Sequence, residues 1–190
     1  MVDFFPDNKV LNSDPIAQTI TLRHLLTMSD GIRDSGNIIE NYFSDPKNSR
    51  RVTGKPGSKF SYNDMSVQII SLILTKSTGK AILNLAKREL FEPLGIEDHY
   101  WITGTVDGIE LVCGVSRRLQ AFGILLTPRD FAKIGYLFLR NGTWDNKELM
   151  PAKWVTDSTV EQIETKDSSD YFRQYGYYWW VHTFGTHPGY

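Results

Sequence analysis

Three consecutive polar residues, Tyr62-Asn63-Asp64, are where this chain places chemistry best. They follow a turn marked by Pro56-Gly57 and a short extended piece, Phe60 to Tyr62. Asp64 is a good N-cap for the run that comes next. From Met65 the apolar residues Ile69, Ile70, Ile73 and Leu74 recur at helical spacing, and Gly79 supplies the stop. The tripeptide is therefore expected at the mouth of a rigid helix, a position from which reactive side chains are often presented.

Other chemistry-bearing strings are weaker. A serine and a lysine one turn apart at a helix start can act as nucleophile and base. Ser77-Thr78-Gly79-Lys80 has that spacing but falls at a helix end, where the dipole disfavours an oxyanion and Gly79 breaks the turn. Ser44-Asp45-Pro46-Lys47 lies in a polar loop with a proline inside it. Neither is expected to be a nucleophile. His187-Pro188-Gly189 has the His-x-Gly form but reads as a Pro-Gly turn in a loop. His182 and His187 have no third ligand in view, and no metal or other cofactor is expected. Cys113 is alone, which removes a disulfide framework and a thiolate cluster and leaves a packed core cysteine. His24 and Ser29 read as surface or satisfied-core residues.

The elements that must position the tripeptide follow from patterning and punctuation. Thr21 can cap a short helix, Leu22 to Met28, closed by Gly31. Asp34 to Thr53 is a long polar loop. A second helix is expected from about Ala81 to Leu90, ended by Pro93 and Gly95. His99 to Ile102 reads as a strand, and Asp107-Gly108 as a turn before Ile109 to Val112. Thr127-Pro128-Arg129-Asp130 opens a helix reaching about Leu139, with Phe131, Ile134 and Phe138 expected inward and Asn141-Gly142 ending it. Trp144 to Leu149 should form a hairpin, with Asn146 tolerating left-handed backbone. Pro151 starts a short helix, and Glu161 to Asp170 reads as a polar linker. Tyr175 to Val181 carries the strongest strand signal, and a strand so aromatic needs paired neighbours.

Length and composition agree with one globular domain. The 190 residues suffice for a sizeable core. Net charge is −1, so there is no electrostatic case for nucleic acid or an anionic membrane surface as partner. No apolar run is long enough to span a bilayer.

The stretch "PGSKFSYND…STGK…LFEPLGI" resembles the serine β-lactamase-related family: class C β-lactamases, DD-peptidases, related esterases and 6-aminohexanoate-dimer hydrolases. Further matches are "ITLRHLLTMSDGI", "TPRDFAKIGYLFLRNG", the Trp144 to Leu149 hairpin and "YGYYWWV". The resemblance implies an α+β, β-lactamase/penicillin-binding-protein-like (transpeptidase-like) fold. It implies a serine hydrolase that cleaves a small-molecule amide or ester through an acyl-enzyme. Residues 1–190 would be a single partial domain, mainly the helical half plus the first strand of the C-terminal sheet segment.

Acyl transfer in this family uses Ser-x-x-Lys, Tyr-x-Asn, and Lys-Thr-Gly or His-x-Gly. The resemblance puts Tyr62 at the tyrosine and Asp64 at the asparagine as catalytic residues. Asp64 is a departure, because a carboxylate accepts from a lysine ammonium but cannot donate to a substrate carbonyl as an amide does. The chain is expected to be an internal piece, its Ser-x-x-Lys upstream of Met1 and its last strands downstream of Tyr190, and to be inactive alone. The alternatives are a non-catalytic peptide- or glycan-binding module, and a truncated reading frame with no function of its own.

Overall fold

The computed structural model describes residues 1–32, 52, 54–97, 99–101, 103–106, 109–112, 123–165 and 174–181. Its first helices are short: α1, Lys9–Asn12, and α2, Leu22–Leu26. Thr21 caps α2 as expected, and its hydroxyl accepts from the His24 N–H. The helix ends two residues early because Met28 turns into a left-handed backbone at φ 53°.

The axis of the fold is α3, Asp64–Thr78. Ile69, Leu72 and Ile73 are buried along one face, where they meet Leu11, Ile20 and Leu25 in the main core. Leu74, the last of the apolar residues at helical spacing, lies on the exposed side of the helix. Gly79 ends α3 at φ 66°, its N–H bonded to the Thr75 carbonyl. The second predicted helix is split. An α segment, α4 at Ile82–Ala86, widens into a π turn at Lys87–Phe91, where the Glu92 N–H reaches the Lys87 carbonyl. That turn drives Phe91 into a second core with Leu94 and Ile96.

Strands β1, His99–Trp101, and β4, Ile124–Leu126, pair antiparallel. Between them β2, Thr103–Val106, pairs with β3, Ile109–Val112. Thr127 then caps α5, Pro128–Leu139, with proline in its first turn. The predicted inward face of α5 holds in part: Ile134 packs against the second core and Phe138 is half-buried, but the face is turned toward Leu137. Phe131 is 68% exposed, whereas Leu137 is fully buried. The rotation is fixed at the first turn, where Asp130 bonds Thr127 and Lys133 while the Lys133 ammonium also donates to the Gly95 carbonyl at 2.6 Å. Hairpin β5–β6, Thr143–Trp144 with Lys147–Glu148, turns through Asp145 and Asn146 at φ 45° and 59°. Helix α6 follows at Ala152–Thr159.

The aromatic run is the main correction. It is a hairpin, with β8 at Gln174–Tyr175 folded onto β9 at Trp180–Val181, and β8 also pairs with β7 at Ile163–Glu164. Part of the expected polar linker is thus a strand, and the aromatic segment finds its neighbours in itself and in β7. Tyr178 takes φ 62° and the Gly176 N–H bonds the Trp179 carbonyl, closing the turn. Gly176 is required there, since a Cβ would lie 2.1 Å from the Ser158 carbonyl oxygen. Among the described residues no single helix is long and apolar enough to cross a membrane.

Candidate active site

Backbone hydrogen bonds clamp the segment before Tyr62 to the end of α2. The Gly57 N–H donates to Ser29 O at 2.7 Å and the Ser61 N–H to Met28 O at 2.8 Å. Gly57 has φ 80°, and a Cβ there would stand 2.9 Å from His24 Nε2, so the turn and the imidazole fit only without a side chain. The chain alternates after that turn. Phe60 points into a core with Met28 and Tyr175, whereas Tyr62 is 55% exposed. The Tyr62 ring lies stacked against Trp180, and Trp180 in turn packs edge-on against Phe60 and Tyr175.

The N-cap of α3 is Asn63, not Asp64. Asn63 is extended, at φ −152° and ψ 143°, and its Oδ1 accepts from the Ser66 N–H at 2.8 Å. Asp64 is already the first helical residue, where its carboxylate faces the positive end of the helix dipole. Asn and Asp cap about equally well, so residue type does not choose between neighbours, and the helix starts one residue earlier than expected. Asn63 is buried and donates through Nδ2 to Ser61 O at 3.2 Å, which ties the cap back to the Tyr62 arm.

Beneath this corner lies a residue that sequence reasoning did not single out. Asp30 is fully buried, 0% exposed, between α2 and α3. Its Oδ1 accepts from the Ile32 N–H at 2.7 Å, and its Oδ2 lies 2.5 Å from Ser66 Oγ. Ser66 Oγ also contacts Asn63 Oδ1 at 2.9 Å. Burial raises the Asp30 carboxyl above its ordinary value, against the pull of hydrogen bonds from Ser66, Ile32 and Asn63. The only signal in the sequence was an Asp-Gly pair, which reads as an ordinary turn. Burial also pushes the Tyr175 phenol well above its usual range, with the neighbouring Tyr62 adding to the effect. Of these two phenols, Tyr62 alone reaches solvent.

The remaining candidates lie elsewhere. Ser77 sits in the last turn of α3, its hydroxyl donating to Leu74 O at 3.2 Å. At about 1.5 Å rise per residue, that is roughly 20 Å from the Tyr62 corner. His24 serves α2: its Nδ1 accepts from the Thr21 N–H at 3.3 Å, and burial lowers its pKa. Ser44, Lys47, Cys113, His182 and His187 to Gly189 lie outside the described residues. Among the described residues no group of three His, Cys, Asp or Glu side chains could hold a metal ion.

Residues 8–190 match the family described as Beta-lactamase. The chain belongs to that family. A D-aminopeptidase from Gluconobacter oxydans (strain 621H) is 29% identical over 117 residues, 51% of this chain and 22% of that protein. The crystal structure of D-amino acid amidase from Ochrobactrum anthropi SV3, complexed with L-phenylalanine, superposes with a TM-score of 0.68 at 16% identity. It covers 97% of this chain and 58% of the amidase. The octameric penicillin-binding protein homologue from Pyrococcus abyssi gives a TM-score of 0.60 at 18% identity, over 86% of this chain and 46% of the homologue. These likenesses establish the β-lactamase/penicillin-binding-protein-like fold. The chain spans 22% and 44% of the two curated relatives it matches.

Proposed function

We propose that this chain forms part of a serine hydrolase that cleaves a small amide or ester through an acyl-enzyme, with Tyr62 moving the proton. The observation that carries the reading is the Tyr62 corner itself: an exposed phenol on a clamped backbone, beside a buried cap, at the mouth of α3. A general acid–base needs a rigid mount and access to the reacting atoms, and both features support that role. The nucleophile and its base are a Ser-x-x-Lys pair outside residues 1–190, and the 190 residues alone are inactive. Asp64 stands beside that pair as an acceptor for the lysine ammonium. Its carboxylate would favour substrates that need no amide donor at this position, which makes esters better than amides. That the related proteins include a D-aminopeptidase and a D-amino acid amidase supports a small acyl substrate.

A second reading has one observation in its favour. The exposed Tyr62–Trp180 stack would also suit a non-catalytic module that holds a peptide or glycan against aromatic rings.

The test is intact-mass trapping of the full-length protein with a slowly hydrolysed ester. The proposal expects one acyl adduct on a serine that begins a helix and precedes a lysine by three residues. Turnover of the ester with the adduct on another residue type would contradict it. Retention of a peptide or glycan without any turnover would favour the binding module.

A further inference from the structure

Asp30, Ser66 and Asn63 are joined by more contacts than one hydroxyl hydrogen can serve. Both ends of the Asn63 amide are assigned by backbone partners. Its Oδ1 meets the Ser66 N–H, which can only donate, and its Nδ2 meets the Ser61 carbonyl, which can only accept. Asn63 Oδ1 therefore needs a proton from Ser66 Oγ across their 2.9 Å contact. Ser66 has one hydroxyl hydrogen, and that contact uses it. The 2.5 Å contact between Ser66 Oγ and Asp30 Oδ2 then needs a second proton, and Asp30 Oδ1 is already occupied as acceptor for the Ile32 N–H.

We infer that Asp30 is a neutral carboxylic acid whose Oδ2–H donates to Ser66 Oγ, and that it is a positioning residue for the Tyr62-Asn63-Asp64 corner. With that proton Asp30 donates to Ser66 and Ser66 donates to Asn63, so both oxygen–oxygen contacts of Ser66 Oγ carry a hydrogen. With Asp30 ionised, the Ser66 hydrogen turns to the carboxylate. Ser66 Oγ and Asn63 Oδ1 then face each other with lone pairs at 2.9 Å, and the cap is loosened. Burial of Asp30 pushes its carboxyl up and so favours the same neutral form, against hydrogen bonds from Ser66, Ile32, its own N–H and Asn63 that favour the charged one. The charged and titratable groups on the elements packed around this corner are Arg23 and His24 on α2, Asp64 and Lys76 on α3, and Lys55 and Lys59 on the segment hydrogen-bonded to Met28 and Ser29. Arg23 is engaged with Tyr177 and Gln162, His24 with the Thr21 N–H, and no cation among the described residues pairs with Asp30. That the corner does catalytic work rests on the function proposed above; the proton on Asp30 does not.

The experiment is infrared difference spectroscopy of the full-length protein at neutral pH, wild type against Asp30→Asn. A protonated-carboxyl C=O band present in wild type and absent from the variant is expected. Ser66→Ala keeps Asp30 but removes its acceptor, so the same band should persist and shift. A difference spectrum containing only carboxylate bands overturns the inference. The positioning role is read from kcat against pH. Wild type should lose kcat as pH rises through the Asp30 ionisation, and Asp30→Asn, which cannot ionise, should lack that loss. Superimposable profiles would overturn the positioning role. If instead Tyr62→Phe proves fully active while the carboxyl band is present, the proposed function fails and the neutral Asp30 stands.

Discussion

Tyr62 lies flat against Trp180, ring centroids 5.9 Å apart and planes 18° from parallel. One residue comes from the mouth of α3 and the other from β9, so the stack joins the helical part of the chain to its aromatic hairpin. Trp180 is itself held edge-on by Phe60 and Tyr175. Aromatic pairs of this kind contribute about 0.5–1.5 kcal/mol beyond area burial. A double-mutant cycle with Tyr62→Ala and Trp180→Ala should return a coupling in that range by urea unfolding. Strict additivity would show that the two rings are neighbours without interaction.

Asn63, as the cap of α3, should matter more to stability than Asp64. Replacing a capping asparagine by alanine costs about 1 kcal/mol, and here Ser66 Oγ would lose an acceptor as well. Asn63→Ala is therefore expected to lower the urea midpoint with an unchanged slope, and Asp64→Ala to lower it less. Asp64→Asn should leave the midpoint nearly in place and raise the rate on amides relative to esters. Equal midpoints for Asn63→Ala and Asp64→Ala would place the cap wrongly.

Much of this was legible beforehand, and most of the misses share a cause. α3, its glycine stop, the Thr127-Pro128 helix start and the Asn146 hairpin all depend on local punctuation, which one sequence displays directly. The face that α5 buries and the close packing of the folded-back aromatic run depend on partners far away in the chain, whereas the Asn63 cap is local and was misplaced by one residue. Lys133 reaching Gly95 and Gly176 pressed on Ser158 are tertiary contacts with no periodic trace. Tyr62 was found because its flanks are distinctive. Asp30 was missed because burial is what gives it meaning, and an Asp-Gly pair announces only a turn.

His24 gives a pH dependence of definite sign. Its folded pKa is lowered, first by burial and then by Arg23, from the ordinary 6.5. The stability it contributes is complete above the unfolded value and is lost as pH falls through 6.5 toward the lower folded value. Protonation also removes Nδ1 as acceptor for the Thr21 N–H. Thermal unfolding should show wild type losing stability across that window. His24→Gln, which keeps a capping-box acceptor that does not titrate, should lose less. Parallel curves for the two proteins would contradict the assignment.

Ser77 is predicted to be unreactive. Its hydroxyl faces the C-terminal end of α3 and donates to a backbone carbonyl, a setting that disfavours an alkoxide. Ser77→Ala should leave fluorophosphonate labelling of the full-length protein unchanged. Peptide mapping that finds a stoichiometric adduct on Ser77 would reverse this.

The most direct measurement is steady-state kinetics of Tyr62→Phe on one ester and one amide. Phenylalanine keeps the ring against Trp180 and removes only the hydroxyl, so packing is held constant while proton transfer is lost. The account predicts a fall in kcat of about 10²–10⁴-fold with KM nearly unchanged, the range typical of a general acid–base. A near-normal kcat on both substrates would contradict it and leave Tyr62 as a packing residue.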